Sequence, residues 1–201
     1  MKETILKKAS EFFLKFGFKS VTMDDIANEL AVSKKTIYKF FKNKTELVNE
    51  TIAHTQKCIH NAISCICNSG HNAIQENFEI NKKVKELLNQ VDESPMYQLQ
   101  KYYPEIFNKI TADKYEMFKD CISKNLEKGI HEGLYRKNIN IDLITKFYFS
   151  LKMSLHDSNI HSYTKNTITV LEFQTLEYHI RSIATEKGIK ILEQQLQQNV
   201  N

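Results

Sequence analysis

Little in this chain interrupts a helix. Its 201 residues hold only two prolines and five glycines, against many Leu, Ile, Lys and Glu. Proline and glycine are the poorest helix formers, so their scarcity suits an all-helical protein. No stretch alternates apolar and polar residues as a half-buried strand requires. No run of about 18 apolar residues occurs, so no membrane span is expected. The N-terminus lacks the apolar core of a secretory signal, and a cytoplasmic location is expected. The four cysteines are then expected to be reduced thiols rather than a disulfide framework. Also missing are G-x-S-x-G, a glycine-rich phosphate loop and H-E-x-x-H, so nothing supports an enzyme. Asp24-Asp25 could serve as an acid/base pair, but helix-start electrostatics explains them better.

What is present is an uneven charge. Residues 1–50 hold ten lysines against seven carboxylates, a balance of +3. The remainder holds eighteen basic and seventeen acidic residues, only +1. A basic N-terminal part on a nearly neutral chain is the pattern of a localised nucleic-acid interface, not of a uniformly cationic coat.

Within it, Val21 to Lys44 reads as two short helices and the start of a third. Thr22 is an N-cap candidate with Asp24 and Asp25 in the first turn. Ile26, Ala27 and Leu30 supply one apolar face. A break follows at Ala31-Val32, and Ser33 is the next N-cap, opening a helix through Phe41. Asn43 and Glu46 resemble a capping box for the helix after that. At about 100° per residue, Lys34, Lys35, Tyr38, Lys39 and Lys42 share one arc, and Ile37, Phe40 and Phe41 the opposite one. From Ala31 to Thr45 there are five lysines and no carboxylate. A solvated charged face on an ordinary helix would account for the lysines alone. Caps, turn length, core face and basic face together point to a helix-turn-helix whose second helix fits the major groove.

The stretch F-G-F-K-S-V-T-M-D-D-I-A-N-E-L-A-V-S-K-K-T-I-Y-K-F-F-K-N-K-T-E-L-V resembles the DNA-binding domain of the tetracycline-repressor (TetR) family of bacterial transcription regulators. The resemblance covers roughly the first 50 residues, a domain-sized span. It implies that Thr22 caps the second helix near phosphate, and that Ser33, Lys34, Lys35 and Thr36 open the recognition helix. It implies that Tyr38 touches the phosphate backbone, Lys39 faces the groove, and Lys44 meets phosphate at the start of the fourth helix. Members commonly carry glycine where this chain has Ala31. If the position needs a positive φ, alanine costs about 1 kcal/mol there.

The rest of the chain continues in helices. Residues 3–16 form the first, closed by Gly17. A small bundle is expected around Phe12, Phe16, Ile26, Leu30, Ile37 and Phe41. A fourth helix runs from about Lys44 to Asn68, and further helices are expected at 71–91 and from Pro104 to about Glu132, with Gly133 as C-cap. Residues 141–157 and 167–185 form two more, and 186–198 a glutamine-rich last one. The helix at 167–185 has apolar residues on two sides, Ile168, Leu171, Leu176, Ile180 and Ile183 on one, Val170 and Phe173 on the other. Such a helix needs two partners: one is its own domain, and the other is either a second subunit or more of the same subunit. The resemblance agrees, since family members pair these last two helices into a dimer interface.

The expected architecture is therefore all-α, with about nine to ten helices. Residues 1–46 form a three-helix bundle with the helix-turn-helix at 22–41, and 47–201 a larger helical ligand-binding and dimerisation domain. The expected function is a homodimeric, ligand-responsive repressor that binds a palindromic double-stranded DNA operator. An activator or a protein-partner adaptor is the alternative. For the effector, an unknown small molecule, the candidate lining residues are Phe78, Met96, Tyr97, Tyr103, Phe107, Tyr115, Phe118 and Phe147, each explained more simply as plain core. His54, Cys58, His60, Cys65 and Cys67 gather along the fourth helix, with His71 past its end, but their spacing fits no standard zinc pattern. No metal, cofactor or redox role is expected there.

Overall fold

The computed structural model describes residues 1–88, 93–155 and 167–199, without the side chains of Glu93, Ser94, Met96, Lys114 and Asn199. The residues expected at the ends of the helices at 71–91 and 141–157 lie partly outside this description. Among the described residues there are ten helices and no strand. They are α1 Lys2–Phe16, α2 Met23–Glu29, α3 Lys34–Tyr38, α4 Lys44–Cys67 and α5 Ala73–Leu87. Then follow α6 Glu93–Tyr102, α7 Pro104–His131, α8 Ile141–Ser154, α9 Ile168–Ile183 and α10 Glu186–Asn199. The expected all-α class is correct. The third helix is shorter than its expected span, ending at Tyr38 rather than Phe41. Lys39 and Phe40 continue it only as a turn, with the Phe40 and Phe41 amides both donating to the Ile37 carbonyl.

The chain divides into two compact units. The first comprises Met1–Ala62 and Val84–Asp113, and the second Ile63–Lys83 and Lys114–Asn201.

In the first unit, α1, α2, α3 and the start of α4 enclose Ile5, Ala9, Phe13, Ile26, Ile37, Phe41 and Leu47. Leu99 of α6 is buried in the same core. Two residues expected at its centre are displaced. Phe16 is 49% exposed, and Phe12 is only partly buried. Phe13, 1% exposed and stacked on Phe18 with centroids 5.1 Å apart, takes their place. Phe40, placed with Ile37 on the core arc by periodicity, faces outward. The reason is the end of α3: beyond Tyr38 the helical turn loosens, and Phe41 alone returns to the core.

In the second unit, α5, the later part of α7, α8, α9 and α10 enclose Ile74, Phe78, Leu126, Tyr148, Leu176, Ile180 and Leu192. Tyr135 is buried against α7, and Gly129 makes room for it: a Cβ there would lie 2.0 Å from the Tyr135 ring. Its hydroxyl donates to Asn125 Oδ1 and accepts from Asn77 Nδ2, both at 3.2 Å. Asn125 in turn donates to the buried Glu76 carboxylate at 2.7 Å, which also takes the Lys128 ammonium at 2.6 Å. These buried polar groups are satisfied by one another, as groups out of reach of water must be. The connector after α7 is pinned to the end of α9, where Arg136 N–H donates to Ile183 O and Thr185 N–H to Leu134 O.

Candidate nucleic-acid interface

The interface is set by three caps and one strained residue, all in the first unit. Thr22 opens α2. Its hydroxyl accepts from Asp25 N–H at 3.2 Å, while its own N–H donates to Asp25 Oδ2 at 2.7 Å. This is the reciprocal capping arrangement, here with aspartate. These bonds hold the Asp25 carboxyl below the usual carboxylate range, and the Lys44 charge adds to the effect.

At the other end of α2, Val32 N–H donates to Ala27 O and Ala31 N–H to Asn28 O, at 2.9 and 3.0 Å. This pair of bonds closes a helix only if the residue between adopts a left-handed conformation. Ala31 does so with φ 51°, the one positive φ among the described non-glycine residues. The turn therefore keeps the geometry glycine would give it, at a steric cost to alanine.

Ser33 then caps α3. Its side chain accepts from Thr36 N–H at 3.1 Å and lies 2.8 Å from the Thr36 hydroxyl. Asn43 caps α4 by accepting from Glu46 N–H at 2.8 Å. Glu46 reaches back to Lys42 N–H, one residue before the cap position the capping box calls for.

Because Ile37 and Phe41 are fully buried, α3 turns its other face outward. Lys35, Tyr38 and Lys39 are exposed there, and neither lysine forms an ion pair among the described residues. Lys34 is different. Its ammonium lies 2.8 Å from Asp24 of α2, and the contact raises its pKa. Lys44 is different again. It donates to the Lys19 carbonyl at 2.9 Å, and burial pulls its ammonium pKa down. So of the eight sequence-predicted residues, Thr22, Ser33, Thr36 and Lys44 also hold the motif together, and Lys34 is partly neutralised. Lys35, Tyr38 and Lys39 carry no such task.

Comparison with known proteins bears directly on this region. Residues 5–51 match the family of bacterial regulatory proteins, tetR family. These residues form a DNA-binding domain of the tetR family. Its N-terminal part is similar to the HTH-type transcriptional regulator YhgD of Bacillus subtilis, 51% identical over 49 residues. That alignment covers 24% of this chain and 26% of YhgD, so the chain spans about a quarter of that curated relative. Solved structures extend the likeness of fold. A transcriptional regulator from Cytophaga hutchinsonii aligns with TM-score 0.72 and 17% identity over 90% of this chain and 97% of that one. A protein from Saccharomonospora viridis, solved in complex with choline, aligns with TM-score 0.71 and 15% identity over 92% and 98%.

On α8 and α9 an apolar face is open: Phe147 is 57% and Tyr178 66% exposed. With Ile144, Leu151 and Ser182 they line a shallow groove. Phe173, assigned to the outward face from sequence, does not lie on it. It is half-buried and packs edge-on against Phe78 of α5 at 5.9 Å, at the margin of its own unit's core.

The effector candidates are dispersed. Tyr103 and Phe107 pack on the first unit's core, and Tyr97 projects outward. The Met96 side chain lies outside the described residues. Phe78 is core in the second unit, and Phe147 belongs to the open face. Among the described candidates only Tyr115 and Phe118 share a ring partner, edge-on to Phe149 at 4.9 and 5.2 Å. Phe149 was not singled out in the sequence. It is half-buried, between the Tyr115 and Phe118 rings of α7. The described residues include no helix long and apolar enough to cross a membrane.

Proposed function

We propose that this protein is a homodimeric, ligand-responsive transcription repressor that binds a near-palindromic duplex through α3. The observation that carries the reading is the outward face of α3, where unpaired Lys35 and Lys39 flank Tyr38 above the buried Ile37. Lysine can meet guanine O6 and N7 in the major groove, so Lys35 and Lys39 are the base readers. Lys34 and Thr36 face the groove from the start of the helix. Tyr38, Ser33, Thr22 and Lys44 meet phosphates and fix the register.

Dimerisation through α8 and α9 is supported by their open apolar groove, since exposed aromatics concentrated on two adjacent helices are unusual on a free surface. A two-fold dimer places two reading helices one helical turn or a multiple of it apart, hence the near-palindrome. The effector is a small molecule bound in the second unit, with Tyr115, Phe118 and Phe149 as aromatic lining. The choline held by the Saccharomonospora viridis neighbour supports a small-molecule ligand for this fold and does not specify one. Selection of duplexes from a random pool tests the reading. A near-palindrome should emerge; a pool with no enriched sequence would sink it.

A further inference from the structure

The outward side of α6 carries exposed tyrosines and a lysine that the reading helix does not account for. Tyr97 is 61% exposed, with Tyr102 on the same helix also open to solvent. The Lys101 ammonium lies 5.7 Å from the centroid of each ring. A second cation joins them from the connection between α1 and α2: the Lys19 ammonium sits 4.8 Å from the Tyr102 centroid. A hydrogen bond with Lys19 pulls the Tyr102 phenol below its ordinary range, which marks how close the two are.

The position of this cluster is fixed. Lys19 N–H donates to Gln98 Oε1 of α6 at 2.9 Å, and Lys19 O accepts from Lys44 at 2.9 Å. The Gln98 amide lies against Gly17, where a Cβ would come within 2.3 Å of it. Gly17, with φ 86°, is favoured there for its conformation, and a Cβ would displace the Gln98 amide. These contacts join α6 to the loop leading into Thr22 and to Lys44, two residues assigned to phosphates. No carboxylate occurs from Lys15 to Met23, and neither Lys19 nor Lys101 forms an ion pair among the described residues. Lysine and tyrosine are among the groups that contact DNA phosphates, and a cation resting over a ring keeps its charge available.

We propose that Lys19 and Lys101, with Tyr97 and Tyr102, form a second phosphate-binding strip that continues the DNA contact from the helix-turn-helix onto α6. This rests on the reading of α3 as the DNA-reading helix. The occupant is the duplex backbone, argued from the cationic character of the strip and its continuity with the Thr22–Lys44 edge.

The test uses the full-length protein, the duplex that wild type selects from a random pool, and a scrambled duplex of equal length. Each is titrated with wild type, Lys19→Gln, Lys101→Gln and Lys101→Arg at several salt concentrations. Each glutamine variant should reduce the slope of log affinity against log salt by about 0.9 per lost contact, on both duplexes. Base preference should stay as in wild type, and Lys101→Arg should restore the slope. Both lysines are at the surface, so unchanged thermal midpoints are expected. If both glutamine variants keep the wild-type slope while wild type still prefers its selected duplex, the strip is overturned and the reading of α3 stands. If wild type prefers neither duplex, both ideas fall together.

Discussion

Ala31 is where a single residue sets the geometry of the motif. Its φ of 51° is imposed by two hydrogen bonds that close α2. Glycine accepts this conformation without a Cβ clash but loses more freedom on folding. The steric term is the larger, so Ala31→Gly should stabilise by roughly 0.5–1 kcal/mol. Thermal unfolding would register this as a rise of about 1–4 °C. A lower midpoint would mean the turn is unstrained. The same scale decides between the aromatics of α1. Phe13→Ala empties a fully buried position and should cost about 3–5 kcal/mol. Phe16→Ala, at an exposed position, should stay within about 0.5 kcal/mol in the same denaturant titration.

At the scale of helices, α8 and α9 meet through a stacked pair: Tyr148 and His179 have centroids 3.8 Å apart and rings 7° from parallel. Burial, helped by the Lys152 charge, lowers the His179 pKa to about 3. The folded state thus keeps a neutral ring where the unfolded chain, with an ordinary value near 6.5, takes up a proton. The contribution to stability is full above pH about 6.5 and declines as pH falls toward 3. Urea unfolding at a series of pH values should show this decline, and His179→Phe should flatten it. An unchanged pH slope in the variant would assign the decline to other groups. On the outer side of these helices, Phe147→Asp should give monomers by light scattering with little loss of fold. Phe173→Asp should instead destabilise the second unit, because Phe173 sits against Phe78 at the margin of its core. Monomers from Phe173→Asp with intact structure, and dimers from Phe147→Asp, would reverse the assignment.

Much of this was legible in the sequence, and the misses share a cause. Thr22, Ser33 and Asn43, the three caps read from sequence, are side-chain caps in the structure. Capping is a local interaction between residues three apart, so sequence carries it. Which side of a helix faces the core is not local. On α1, Phe12, Phe13 and Phe16 span a broad apolar arc, and only packing of α2 and α4 chooses Phe13. On α9 two apolar stripes were seen, but the partner that claims Phe173 comes from α5, far away in sequence. Lys34 and Lys44 were assigned to DNA alone, while their pairing with Asp24 and the Lys19 carbonyl depends on how α2 and its preceding loop fold back.

For the whole molecule, the account stands on α3 reading bases through an unpaired lysine. Lys35 is exposed, touches no carboxylate among the described residues and holds no cap, so its removal should leave the fold intact. Lys44 differs in kind: Lys44→Ala should weaken selected and scrambled DNA alike. The most direct measurement is a titration of wild type and Lys35→Ala on the selected duplex, on its single-base variants and on scrambled DNA, at matched salt. Lys35→Ala is expected to lose roughly 1–3 kcal/mol per base contact on the selected duplex. It should also become indifferent to one base pair in each half-site and bind scrambled DNA almost as wild type does. Wild-type affinity and preference in Lys35→Ala would contradict the account.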